Sequence, residues 1–249
     1  MADDAITVTG SDTSTSAEWE EQARNWIRWT RAPGLDSYRR YRSDLFEFLP
    51  APGRATLDFG CGEGRLARDL AEHGHAVTGV DVSATLIEAA REAHPQPGGD
   101  YQVADCARTP FADGSYDLVI AYNSLMDIDD MPGAVREAAR LLEPGGRLVV
   151  SILHPANSGR TVGEGGGDEV GFVVDRRYFE HRRTREPAER DGISMVFASY
   201  RRPLGAYTAA LEQAGLLIEA IREPIATRAD GSVSPLPWHL WIRALRPKG

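Results

Sequence analysis

The chain has 249 residues, 42% hydrophobic and 26% charged, enough for a substantial core without disulfide or metal support. A formal charge of −9 gives polynucleotides no electrostatic advantage, which disfavours a general nucleic-acid binder. The polar, acidic start and the lack of any run near the ~20 apolar residues of a membrane span argue against secretion and membrane insertion. Cys61 and Cys106, 45 positions apart, match no metal spacing and suit a reduced, cytoplasmic protein with no metal site.

In chain order, residues 1–17 are rich in Ser, Thr and Asp and read as a loosely attached tail. A helical period begins at Glu18, with Trp19, Ala23, Trp26, Ile27 and Thr30 near one face, and Pro33-Gly34 ends it. Ser37 to Leu49 reads as a second helix. The character then changes. Ala55 to Phe59 is a short apolar strand running into Gly60-Cys-Gly62-Glu-Gly64, and a helix from Arg65 to His73 closes at Gly74. Further strands at 76–80, 101–103, 116–121 and 147–153 alternate with helices at 83–93 and 132–142, with a turn at 144–146. These strands are continuous apolar runs, the pattern of a parallel sheet covered on both faces. Gly159 to Gly171 is glycine-rich. Residues 175–202 hold eight arginines against five acids around a strand at 193–198, and read either as a solvated hairpin or as a wall for an anionic group. A helix at 203–213 and two strands at 216–221 and 239–244, expected as an antiparallel edge, complete an α/β pattern.

The loop at 60–64 joins a strand to a helix, so it presents free N–H groups and the positive end of a helix dipole to a ligand. Asp81 ends the next strand 21 positions after Gly60, a spacing that suits a carboxylate on ribose hydroxyls. A nucleoside-containing cofactor is expected. The dinucleotide fingerprint wants its third glycine one position later than Gly64, and lacks a carboxylate like Asp58. Asp58-Phe-Gly60-Cys-Gly62-Glu-Gly64 instead resembles motif I of the class I S-adenosylmethionine-dependent methyltransferases. Gly79-Val-Asp81-Val-Ser, Ala104-Asp105-Cys106, residues 110–118 and Leu142-Glu-Pro-Gly-Gly146 follow in that family's order, over roughly residues 55–155.

The resemblance implies a Rossmann-like, mostly parallel seven-stranded sheet with an antiparallel C-terminal edge, and S-adenosylmethionine as cofactor. It implies Asp58 toward the cofactor's ammonium, Asp81 on the ribose, and Asp105 with the Cys106 backbone at the adenine. Tyr122 and Asn123 fall near the methionine end. Gly60, Cys61, Gly62 and Val82 complete the expected contacts. The helical segment at 18–50 becomes a lid, ahead of a methyltransferase domain at 51–249 with an insertion at about 156–202. Trp26, Trp29 and Tyr38 are lid residues that either touch ligand or only pack.

Methyl transfer needs an aligned, water-free, deprotonated nucleophile. Tyr122, Asp127 and His154 are the candidate catalytic groups. His154 ends the fifth strand at the ligand-binding edge, where it is either a base or a backbone hydrogen-bonding residue. Asp127 either orients an amine or caps, and Asp129 and Asp130 read as N-caps. Tyr178 and Arg202 are the pocket candidates from the arginine-rich stretch, and His73 and His75 read as exposed. A broader likeness is to ubiquinone and menaquinone methyltransferases. A second, carried by Arg31 to Tyr38 and Tyr122 to Ile128, is to actinobacterial antibiotic-biosynthesis methyltransferases such as the lincosamide N-methyltransferases. The expected reaction is methylation of a small-molecule amine, a secondary metabolite, with a phenol or other hydroxyl as the alternative. A methyltransferase fold without methyl transfer stays open, as does a homo-oligomer.

Overall fold

The computed structural model describes residues 14–34, 36–94, 100–156, 177–225, 233 and 237–249. Five strands come first: β1 (Thr56–Phe59), β2 (Val77–Asp81), β3 (Asp100–Val103), β4 (Tyr116–Tyr122) and β5 (Leu142–Leu153). Next comes a hairpin of β6 (Arg182–Arg190) and β7 (Ile193–Arg201), then β8 (Leu217–Arg222) and β9 (His239–Leu245). Six helices accompany them: α1 (Thr15–Arg31), α2 (Tyr38–Phe48), α3 (Arg65–Glu72), α4 (Ala84–Ala93), α5 (Met131–Leu141) and α6 (Leu204–Gln213). Seven strands form one sheet in the order β3-β2-β1-β4-β5-β9-β8. Neighbours from β3 to β5 are parallel, while β9 runs antiparallel to both β5 and β8. This is the Rossmann-like methyltransferase architecture that the motifs imply. The antiparallel strand lies one position inside the edge, so β8 runs the same way as the parallel set.

The continuous apolar runs have a simple cause, because alternate residues face opposite, equally buried sides. Leu57, Phe59, Val119 and Ala121 pack toward α5 and α6, among Ala134, Val135, Tyr207 and Leu211. Leu118, Ile120, Tyr122 and Trp241 pack the other way, among Tyr41, Leu45, Phe48, Leu66 and Leu70 of α2 and α3.

Several boundaries differ from the sequence reading. Helix α1 starts at Thr15, because the Ser14 hydroxyl accepts from the Ala17 N–H at 3.3 Å and supplies an N-cap. The part of the expected tail after residue 13 is therefore helix and cap, and residues 1–13 lie outside the described residues, as does Gly159 to Gly171. Strand β5 begins at Leu142 and takes in the expected turn at 144–146, with Gly145 at φ +91°. The arginine-rich stretch is a full two-stranded hairpin, closed by Asp191 and Gly192, both at positive φ as a type I′ turn requires. It is not a free solvated hairpin, since it packs on α1, where the Val196 N–H donates to Gln22 at 3.2 Å. His75, expected exposed, is buried at 7% exposure beside the Thr56 hydroxyl at 2.9 Å, whereas His73 is exposed as expected and stacks on Phe46.

Leu57 is fully buried in β1 beneath the glycine loop. Leu57→Ala should cost about 2–5 kcal/mol of stability in urea unfolding. A loss below about 1 kcal/mol would show that this face of the sheet can collapse around the gap.

Candidate functional site

The strand order reverses between β1 and β4, and ligands of open α/β sheets bind in the crevice outside the carboxyl ends at such a point. A cavity of about 900 Å³ lies there, lined by the ends of β1, β2, β4 and β5, the start of β9, and the inner faces of α1 and the hairpin. All ten expected cofactor contacts line it: Asp58, Gly60, Cys61, Gly62, Asp81, Val82, Asp105, Cys106, Tyr122 and Asn123. Trp26, Trp29 and Asp127 line it as well.

The loop geometry is built from backbone constraints. The Gly60 and Cys61 N–H groups both donate to the Val80 carbonyl, at 2.9 and 2.8 Å, which ties the loop to β2. Gly60 sits at φ +80°, and a Cβ there would come 2.4 Å from the Ser124 Cβ, so only glycine fits. Ser124 in turn donates to the Phe59 carbonyl at 2.5 Å, joining the ends of β1 and β4. The Asp81 carboxylate accepts from the Gly62 N–H at 2.8 Å and from the Ser83 N–H at 2.9 Å. Each of its oxygens keeps further lone-pair capacity toward the cavity.

Asp58 is 1% exposed, and its Oδ2 has no hydrogen-bond partner among the described residues. Burial pushes its carboxyl up to about 7, the Asp81 charge adds to this, and Arg65 and the Ala67 backbone offset part of it. Burial also raises the Cys61 and Cys106 thiols well above their usual range, so neither is a ready nucleophile. Asp105 caps its own turn by accepting from the Ala107 N–H at 2.8 Å, while remaining exposed at the cavity wall. Asn123 is at φ +54°, with its side chain accepting from Ser151 at 2.8 Å. Its backbone N–H donates to the Ser151 carbonyl at 2.8 Å, so Ser151 holds both groups.

Helix α1 and the hairpin form a cover across the mouth, held at three points. Glu20 accepts from Ser83 and Thr85, both at 2.5 Å, beside Asp81. Glu18, 5% exposed, pairs with Arg183 and Arg185 at 2.5 and 2.9 Å. Asp129 accepts from Thr15 Oγ1 at 2.9 Å and from the Tyr200 hydroxyl at 3.0 Å. Beneath these ties Trp26 and Trp29 meet Phe197 edge-to-face, at 6.1 and 5.6 Å between centroids. The Trp26 indole Nε1 lies 3.4 Å from the Cβ position of Gly62, so the cover reaches the glycine loop itself.

Four expected site residues lie elsewhere. Among the described residues, His154 Nε2 pairs with Glu223 at 2.8 Å and its Nδ1 accepts from the Ala156 N–H at 3.1 Å. Both nitrogens are engaged, and the ring does not line the cavity, so the base role is not supported. Tyr38 stands behind Tyr122, edge-on at 5.4 Å, and donates to Asp69 at 2.6 Å. The Tyr178 hydroxyl accepts from the Leu204 N–H at 3.1 Å, away from the cavity. Arg202 is a buttress: it is buried and donates to the carbonyls of Leu125, Met126, Ile128 and Asp129, shaping the loop that carries Asp127. Of the two expected N-caps, Asp130 caps α5 through the Gly133 N–H at 2.9 Å, whereas Asp129 fastens the cover.

The sequence reading missed His239, Arg65, Glu18, Glu20 and Phe197. Arg65 lines the cavity, pairs with Asp36 and lies 5.0 Å over the Trp26 ring. His239 opens β9 and lines the cavity at 1% exposure. Its signal was positional: the first residue of an antiparallel strand paired with β5 must fall at the carboxyl edge. Among the described residues no group of three His, Cys, Asp or Glu side chains could hold a metal ion. No described helix is long and apolar enough to cross a membrane.

Residues 57–150 match the family model described as a methyltransferase domain. An O-methyltransferase of Pyrenophora dematioidea is 38% identical over 44% of this chain and 43% of its own length. The 27-O-demethylrifamycin SV methyltransferase of Amycolatopsis mediterranei is 32% identical over 69% of this chain and 64% of its own length. The chain spans less than half the length of the first curated relatives it matches. The crystal structure of an S-adenosylmethionine-dependent methyltransferase from Mesorhizobium loti superposes with a TM-score of 0.68 at 26% identity, over 83% of this chain and 98% of that one. The family match, the relatives and the fold agree on a methyltransferase domain over residues 57–150.

Asp58 has a consequence for stability. Its folded value lies above the unfolded one, so its contribution is fully present below about pH 4 and is lost as pH rises through about 7. Asp58→Asn should therefore gain stability relative to the parent between pH 4.5 and 7.5 in urea unfolding. A difference that does not change with pH would mean that Asp58 is ionised throughout.

Proposed function

We propose that this chain transfers a methyl group from S-adenosylmethionine to a small-molecule acceptor held under the cover of α1 and the hairpin. The observation that carries this reading is the Asp58 Oδ2, a buried carboxylate oxygen on the cavity wall without a partner among the described residues. An amino-acid ammonium satisfies it, whereas a pyrophosphate would be repelled. Asp81, with lone pairs left beyond its two backbone bonds, suits a ribose diol. Arg40 and Arg65, on the same wall, suit a carboxylate. The residues fit the cofactor.

When bound, S-adenosylmethionine supplies an electrophilic sulfonium methyl. The protein's work is then alignment and exclusion of water. Trp26, Trp29 and Phe197 roof the cavity with apolar edges, and the ties at Glu18, Glu20 and Asp129 hold that roof down. A covered cavity of this kind favours a small acceptor over a polymer.

Oxygen is the acceptor atom we favour over the amine expected from sequence. Several relatives carry O-methyltransferase names. Asp127, the group a cationic amine would need, offers no dependable charge: burial pushes its carboxyl well up, and Arg202 only partly offsets this. The role expected of Asp127 is accordingly hydrogen bonding. A role in secondary metabolism is consistent with the rifamycin relative.

Asp81→Ala should weaken binding of S-adenosylhomocysteine by about 1–3 kcal/mol, roughly 5- to 150-fold, by leaving the loop and the ribose without their acceptor. Calorimetry on both proteins reads this directly, and an unchanged affinity would place the cofactor elsewhere. Label from methyl-labelled S-adenosylmethionine should appear in phenols of a mixed phenol and secondary-amine panel. Label confined to amines would reverse the acceptor assignment.

A further inference from the structure

Two buried polar groups stand together on the cavity wall, each with a polar atom that has no hydrogen-bond partner among the described residues. His239 is 1% exposed; the Ile152 backbone lies within reach of one ring nitrogen, and the other has no partner among the described residues. Tyr122 is 7% exposed, and its hydroxyl is equally without a partner among the described residues. Both side chains line the cavity. Buried polar atoms are nearly always paired in native proteins, so two unsatisfied groups on residues that line one cavity mark where a ligand's polar group completes the set.

Topology brings them together. Tyr122 is the last residue of β4. His239 is the first of β9, opposite Leu153, and because β9 runs antiparallel to β5 its start lies at the carboxyl edge. The two rings are 6.5 Å apart between centroids, inclined at 35°. Tyr41 meets the imidazole edge-on at 4.9 Å and limits its rotation. Tyr122 ends the strand next to β1, where Asp58 and the glycine loop line the same cavity.

We infer that His239 and Tyr122 form the subsite for the acceptor's hydroxyl group, which makes the substrate class a phenol-type hydroxyl compound methylated on oxygen. The inference rests on the methyl-transfer reading and deepens it. A hydroxyl has one proton and two lone pairs. It donates to the imidazole nitrogen, accepts from the Tyr122 hydroxyl, and keeps one lone pair for attack. A neutral amine has a single lone pair, which the Tyr122 bond would occupy, and an ammonium has none.

The atoms balance. The free lone pair forms the O–CH3 bond as the S–CH3 bond breaks with its electron pair passing to sulfur. The hydroxyl proton passes to the His239 nitrogen and from there to solvent. Burial pushes the His239 ring down to about 4, the Ile152 backbone offsetting part of this, so the imidazole is neutral and accepting at ordinary pH. The hydroxyl proton becomes more acidic as the new bond forms, which lets a weakly basic imidazole take it.

The test uses the full chain labelled with 15N-histidine and saturated with S-adenosylhomocysteine, with phenol and benzylamine as probes. His239→Phe keeps an aromatic ring against Tyr41 and assigns the His239 resonances by their loss. Phenol should shift the His239 ring nitrogens, and benzylamine should not. In a transfer assay His239→Phe should lower kcat/KM for phenolic acceptors by about 10²- to 10⁴-fold, the usual span for a proton-transfer group. Its affinity for S-adenosylhomocysteine should stay within about twofold. If His239→Phe fails to fold, His239→Gln supplies the assignment and the phenol-induced shift in the parent protein decides. Phenol leaving the His239 nitrogens unmoved, benzylamine moving them instead, or undiminished phenol methylation by His239→Phe would each overturn the subsite. Failure of the parent protein to bind S-adenosylhomocysteine would overturn the methyl-transfer reading itself.

Discussion

The Asp81 carboxylate spans the gap between two turns, one oxygen accepting from the Gly62 N–H and the other from the Ser83 N–H. Everything around the cofactor wall is arranged about that bridge. The glycine loop needs it because the Val80 carbonyl already accepts from Gly60 and Cys61, which leaves the Gly62 N–H to Asp81. Helix α4 needs it because Ser83, held by the bridge, is the N-cap that accepts from the Leu86 N–H at 3.1 Å. The cover needs it as well, since Glu20 of α1 is anchored on that same Ser83 hydroxyl. One carboxylate therefore links loop, helix start and roof on the cavity wall.

A site of this kind must exclude water and still admit ligands, and the charge pattern serves both ends. The surplus of arginine in the hairpin is met by an acid from a distant part of the chain: Glu18 takes both Arg183 and Arg185. Buried pairs of this sort contribute little net stability but fix geometry, because breaking one leaves a charge without compensation. The roof is thus registered on α1 by charge, while the aromatic contacts of Trp26, Trp29 and Phe197 supply the dry surface.

The glycine-loop wall of the cavity was legible in the sequence because its information is local. A strand, glycines at positive φ, a carboxylate two residues before the loop and another ending the next strand all lie within 24 residues, from Asp58 to Asp81. The acceptor side was not legible in the same way. His239 sits in an apolar run with Trp238 and Trp241, and by pattern alone it reads as core. Only the insertion of β9 between β5 and β8 brings it to the ligand edge. His154 shows the converse error: the edge rule for β5 held, but Glu223, just beyond β8, engages its ring. Arg202 looked like a pocket cation because its role, four backbone carbonyls of one loop, has no trace in local charge.

The claim on which the rest stands is that one covered cavity, walled by the glycine loop, Asp58 and Asp81, holds S-adenosylmethionine beneath α1. Amide hydrogen exchange with and without S-adenosylhomocysteine, beside NADH as control, tests it over the whole chain. The account predicts slowed exchange at 58–64, 81–86, 105–106 and along α1 with S-adenosylhomocysteine, and no change with NADH. Protection by NADH alone, or protection by S-adenosylhomocysteine that leaves the glycine loop and α1 unaffected, would contradict it.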